Sequence, residues 1–228
     1  MPARKITIAI LLMGVTFMSC SKDDDTPNNP AAGPGIPSDY MVPGGAGKQL
    51  TLEGQSIMTR TGAPADTNFI LMTTIGTGGT ATAFDGRNAM HFITINVDGA
   101  DTDTSDAYMF ADDKVYLSYR TPLSKAEVDT ILKAPLAVGT TWMSGDDQEP
   151  TPSRIVSLSE TVVTPAGTFK DCILVRAESS DSTGSSMSQE IWMAKGVGPV
   201  RFKVRINATL MGLTYEMKSE ALLKSKNY

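Results

Sequence analysis

Arg201-Phe202-Lys203-Val204-Arg205-Ile206 alternates a cation with a hydrophobe without a break. A strand sends successive side chains to opposite faces, so the three charges share one side and the three apolar groups the other. One face of that sheet is buried and the other is wet, which is the habit of antiparallel sheets. Working outward, neighbouring segments read the same way: 154–164, 169–177, 185–194, 199–209 and 213–223, separated by short polar or glycine turns. The first half adds strand-like runs at 50–58, 69–75, 89–97, 107–111 and 115–119, rich in β-branched and aromatic residues. Helices do not alternate with these runs, so a doubly wound parallel sheet is excluded. One short helix is expected after Ser124-Lys125-Ala126-Glu127, which has capping-box spacing. Val128, Ile131 and Leu132 supply its apolar stripe and Pro135 its end. The expected fold is mainly β: a single curved antiparallel sheet, half-barrel or open barrel, with one short helix.

The start of the chain is of another kind. Arg4 and Lys5 precede an apolar run, 6–18, too short to span a bilayer, which breaks at Ser19-Cys20. Asp23, Asp24 and Asp25 follow. Phe17-Met18-Ser19-Cys20 resembles a bacterial lipoprotein signal, with Phe17 in place of the commoner leucine. That resemblance implies cleavage after residue 19 and a lipid on Cys20. The acidic run is similar to the surface-export signal of Bacteroidota lipoproteins, which implies an outer-membrane lipoprotein facing the cell surface, with the periplasmic face as the alternative. Prolines 27, 30, 34, 37 and 43 make 21–43 an extended strap rather than a packed element. At about 3.1–3.3 Å per residue it reaches at most about 70–75 Å. The expected division is thus 1–19 signal peptide, 20–43 lipidated cysteine and strap, 44–228 one all-β domain.

An apolar content of 41% suits a packed body, and a net charge of −5 offers no general attraction to nucleic acid. With Cys20 committed to lipid, Cys172 has no intramolecular partner and reads as a small buried hydrophobe.

Three strings in the second half belong together: Pro135-Leu136-Ala137-Val138-Gly139-Thr140-Thr141-Trp142, Thr164-Pro165-Ala166-Gly167-Thr168-Phe169-Lys170-Asp171-Cys172 and Trp192-Met193-Ala194-Lys195-Gly196-Val197-Gly198. Their combination resembles a group of bacterial lipoprotein and periplasmic domains. Those domains look like the curved half-barrels of the outer-membrane lipoprotein-carrier type. The resemblance covers roughly 135–205 and implies a fold, without catalytic residues. Physically, Gly167, Gly196 and Gly198 can take the positive φ of tight turns, and Trp142 and Trp192 are large enough to be core.

Chemistry is sparse. The one histidine, His91, sits between Met90 and Phe92 and reads as a half-buried strand residue. No Gly-x-Ser-x-Gly elbow is present, and one histidine with one free cysteine makes no zinc site. Gly44-Gly45-Ala46-Gly47-Lys48 lacks the first glycine and the final Ser/Thr of a phosphate loop. Gly76-Thr77-Gly78-Gly79 precedes no helix. Asp101, Asp103, Ser105 and Asp112 have calcium-loop offsets, but Asp106 replaces the turn glycine and Asp112 the bidentate glutamate. No catalytic residue, metal or cofactor is therefore expected.

Two features point to binding. Thirteen methionines, Met90 and Met109 among them, suit an irregular apolar cavity. Arg201, Lys203 and Arg205 form a stripe suited to an anionic head group, or simply a solvated strand face. With Met90, Met109, Trp142 and Trp192 they are the candidate ligand-contacting set. The fold resemblance implies a non-enzymatic lipoprotein holding an apolar or amphipathic small ligand, such as a lipid, in the concave side of its sheet. The alternative is a structural or interaction module that meets an envelope protein or glycan. Asp181-Ser182-Thr183 resembles the short O-glycan acceptor of Bacteroidota and marks Ser182 as its candidate.

Overall fold

A computed structural model describes residues 35–145, 150–181, 184–210 and 212–228. Cys20, the signal peptide, the first part of the strap and Ser182 lie outside the described residues. Twelve strands follow one another: β1 (Gln49–Arg60), β2 (Asp66–Thr82), β3 (Asn88–Asp98), β4 (Asp101–Ala111), β5 (Val115–Tyr119), β6 (Val128–Lys133), β7 (Thr141–Ser144), β8 (Thr151–Thr164), β9 (Gly167–Ser180), β10 (Ser186–Ala194), β11 (Gly198–Leu210) and β12 (Leu213–Lys226). They form a single antiparallel sheet in the order β6-β5-β4-β3-β2-β1-β12-β11-β10-β9-β8-β7. Every neighbour is a hairpin partner except β1 and β12, whose ladder runs from Leu50 opposite Lys226 to Arg60 opposite Tyr215. That ladder joins the two halves of the chain.

The edges β6 and β7 come together without a ladder. Trp142 Nε1 donates to the Thr130 carbonyl at 2.7 Å, and the Gly145 N–H donates to Asp129 Oδ1 at 2.5 Å. The sheet is nearly closed into a barrel, mainly β as its sequence pattern foretells. Gly167 (φ 134°) and Gly196 (φ 69°) occupy the positive-φ turns expected of them.

The expected helix is absent beyond one 3-10 turn, Lys125–Glu127, and Ser124 makes no side-chain cap. Val128–Lys133 is strand β6 instead. The cause is a register shift in the β5–β6 pair, between Tyr116 and Leu117. A bulge breaks the period of two, so Ile131 and Leu132 are both buried. Apolar residues at i, i+3 and i+4 then imitate a helix.

The strap also ends earlier than expected. Pro37–Tyr40 is a 3-10 turn whose Tyr40 (2% exposed), with Val42 (3%), belongs to the core. The Ser38 N–H donates to the Asp112 carbonyl at 3.0 Å, the Gly196 N–H to the Asp39 carbonyl at 2.8 Å, and Lys195 pairs with Asp39 at 3.1 Å. Residues 35–43 therefore close one end of the barrel, between the β4–β5 and β10–β11 turns. Proline content marked the segment as extended, but Pro37–Tyr40 turns instead, and burial of Tyr40 and Val42 makes 35–43 part of the body. The two failed phosphate-loop look-alikes pair with each other just beyond. Gly47 N–H donates to the Gly76 carbonyl at 2.8 Å, and Gly78 N–H to the Gly44 carbonyl at 3.0 Å. A Cβ at Gly76 would stand 2.6 Å from the Gly45 oxygen, so the glycines serve close backbone approach.

Leu52, Ile70, Phe92, Met109, Tyr116, Ile155, Ile191 and Phe202 fill the inside of the barrel, all at most 7% exposed. Beyond a register shift between Gly76 and Thr80, the β2–β3 hairpin packs Ala83 and Ala89 against Leu117 and Tyr119 as a small second core.

Candidate functional site

The candidate residues fall into three separate places. Met90 and Met109 face each other across β3 and β4. Met109 is fully buried and accepts a hydrogen bond from the Tyr116 hydroxyl at 3.3 Å, while Gly44, just after the closing segment, rests on Met90. They are packing. Trp142 is the seam residue between β7 and β6, held by the bond to Thr130. Trp192, Arg201 and Lys203 do meet, but on the outside of the sheet. Arg201 lies over the indole at 4.7 Å from the ring centroid and Lys203 at 5.9 Å, covering a tryptophan that is only 6% exposed.

Among the described residues, buried side chains of one large core pack the concave side. A small pocket between β6 and β10, beside Asp129, Ser144, Ser153, Gln189 and Ile191, measures about 20 Å3, room for a single water. The open space is on the outer face, where a groove of about 750 Å3 crosses β1, β12, β11, β10 and β9. Register builds its floor. Arg176, Glu190, Lys203, Glu220 and Gln55 stand opposite one another in turn across five strands. A second row runs Glu178, Ser188, Arg205, Lys218, Ile57. Arg176 donates through Nε (2.9 Å) and Nη2 (2.6 Å) to Glu190 Oε1. Glu220 takes Arg201 at 2.6 Å and Lys203 at 3.6 Å. Glu216 takes Lys218 at 2.7 Å and Arg205 at 3.3 Å. The Lys218 hydrogen bond, with the charges of Lys218 and Arg205, holds the Glu216 carboxyl below its ordinary value. The cationic stripe is therefore matched by carboxylates of β12 rather than left free for an anion.

Arg176, Glu190, Glu220, Gln55 and the adjoining Phe69 escaped the sequence reading. Charges alternating with apolar residues in Glu216-Met217-Lys218-Ser219-Glu220-Ala221 carry the same signal as 201–206, but nothing local says that the two strands are neighbours.

His91 is half-buried on β3, stacked on Tyr108 at 4.7 Å, with Nε2 2.8 Å from Asp106 Oδ1. Thr77 Oγ1, 3.2 Å from Nδ1, donates to the His91 carbonyl at 3.0 Å and accepts from the Gly79 N–H. Its single proton has two acceptors in reach, that carbonyl and Nδ1, and together with the Gly79 N–H the hydroxyl braces the 76–79 segment against β3. Cys172 is fully buried, and burial pushes its thiol up to about 12, with Asp171 and Glu160 adding to the shift. A thiolate is the reactive form, so this cysteine is inert at neutral pH. The calcium-loop residues are not in a loop. Asp101, Asp103 and Ser105 run along β4, and Asp112 Oδ1 accepts the Lys114 and Val115 N–H groups of the next turn. Among the described residues no cluster of three His, Cys, Asp or Glu could hold a metal, and no helix is long and apolar enough to cross a membrane.

By its fold the chain is an all-antiparallel, nearly closed barrel, and it carries an open polar groove outside. No family model matches it, and comparison with curated proteins gave no match. Among solved structures it is similar to a protein from Bacteroides fragilis named as exported and YmcC-like in fold, at 15% identity and TM-score 0.46, over 80% of this chain and 96% of that one. It is also similar to a protein named as a lipoprotein from Parabacteroides distasonis, at 13% identity and TM-score 0.44, over 81% and 97%. At these values the likenesses carry no argument about function.

Proposed function

We propose that the protein is an envelope lipoprotein, held to the outer membrane by a lipid on Cys20. In this reading its body is a non-enzymatic binding module that works through the outer groove. The signal-like 6–20 segment supports the anchor. The observation that carries the rest is the groove of about 750 Å3 across β9–β12 and β1, beside which the pocket at Asp129 holds only about 20 Å3. Ligand sites typically occupy about 300–1,000 Å3, so the outer groove qualifies and the small pocket at Asp129 does not. The interaction module is thus favoured over a carrier with an apolar ligand inside. A fully buried Cys172 with a raised thiol pKa supports the absence of catalysis.

Native mass spectrometry of protein extracted from its own membranes tests the groove. The expected spectrum shows the covalent acyl chains and no further lipid. A retained, non-covalent lipid, protected from detergent exchange, would return the ligand to the interior and overturn the reading. For the anchor, radiolabelled palmitate should label the wild type and not Cys20→Ala; equal labelling of both removes the lipid from Cys20.

A further inference from the structure

We propose that the groove takes an uncharged, hydroxyl-rich chain, a neutral glycan, laid across the strands with a ring face on Phe69; this rests on the outer groove being the working surface. The first reason is electrostatic. Four basic residues and three acidic ones line the groove, and Arg176, Lys203, Arg205 and Lys218 each lie against a glutamate. A polyanion would have to break those pairs and face the displaced carboxylates. An apolar ligand would strip them of water at a cost nothing repays. A hydroxyl both donates and accepts, so it can bond to guanidinium and carboxylate together and leave each pair standing.

The second reason is metric. Strands lie about 4.7–4.9 Å apart, so the row from Arg176 to Gln55 runs about 19 Å. That presents one polar side chain per strand, a repeat similar to the length of a pyranose unit. The third is the end of the row. Phe69 stands opposite Gln55 on β2 and is 47% exposed, with Ile57 37% exposed beside it. An exposed aromatic next to planar hydrogen-bonding side chains offers a surface for the C–H face of a sugar ring.

The test uses the mature protein against an array of neutral glycans, followed by calorimetry and amide NMR with the bound oligosaccharide. Binding should shift amides of β1 and β9–β12, weaken at least ten-fold in Phe69→Ala, and persist in Phe69→Tyr. Circular dichroism checks that both variants are folded, and an exposed position makes that the expected result. A glycan that binds elsewhere, or as tightly to Phe69→Ala, overturns the proposal. If no neutral glycan binds while heparin or a charged peptide shifts the groove amides, the ligand class is wrong and the groove reading survives. If nothing shifts them, both fall.

Discussion

Asp98, at the end of β3, carries a charge the fold does not accommodate. Its Oδ1 is buried without a hydrogen-bond partner among the described atoms. Burial raises its pKa above the ordinary carboxylate value, and the charges of Asp101 and Asp66 raise it further. A raised acid favours folding while it keeps its proton. That contribution is present in acid and lost as the pH climbs through the unfolded value, about 4, and then the folded one. Asp98→Asn should therefore raise the melting temperature at pH 7, by about 1–3 °C, and the gain should fade below about pH 4. A scan of thermal unfolding against pH measures it; an equal gain at pH 3 would mean that charge is not the cause. Asp85 has the opposite sign. Burial opposes its ionisation, but the backbone and guanidinium of Arg87 outweigh that and hold its pKa low. Its stability is present above the ordinary carboxylate range and is lost as the pH falls.

Elements were legible where a period survives. The alternation of 201–206 gave β11 and its wet face correctly, because nothing interrupts its pleat there. Residues 128–132 misled because a bulge puts Ile131 and Leu132 both inside, and local spacing cannot tell that from a helical stripe. The groove was half legible for a related reason. Arg201, Lys203 and Arg205 show on their own strand, but Glu220 and Gln55 join them only through registers that no single segment contains. One residue sets the register that matters most. A Cβ at Gly54 would stand 1.8 Å from the Glu220 carbonyl oxygen and 2.7 Å from Ala221 Cα, both backbone atoms of β12. Gly54→Ala must push apart the β1–β12 ladder, beyond ordinary overpacking at about 1–3 kcal/mol. It should cost at least about 3 kcal/mol in chemical denaturation. A loss below about 1 kcal/mol would show that the strands can give way there.

At the scale of the whole molecule, both ends of the described residues converge on the closed end of the barrel. Gln49 N–H donates to Asn227 Oδ1 at 2.7 Å, Asn227 Nδ2 donates to the Gly47 carbonyl at 2.9 Å, and the Tyr228 hydroxyl donates to the Val197 carbonyl at 3.2 Å. Residues 35–43 lie in the same place, so the segment nearest the proposed anchor is also a structural part of the body. The strap's hydrophobes should therefore count in stability. A variant that begins at Gly35 should melt with the mature protein, since Tyr40 and Val42 are kept. One that begins at Gly44 loses both, along with the Asp39–Lys195 pair. Removing a buried aromatic costs about 3–5 kcal/mol, or about 8–15 °C for a body of this size. Equal melting of the two truncations would return 35–43 to the status of a passive strap, whereas a loss already present at Gly35 would extend the body further toward Cys20.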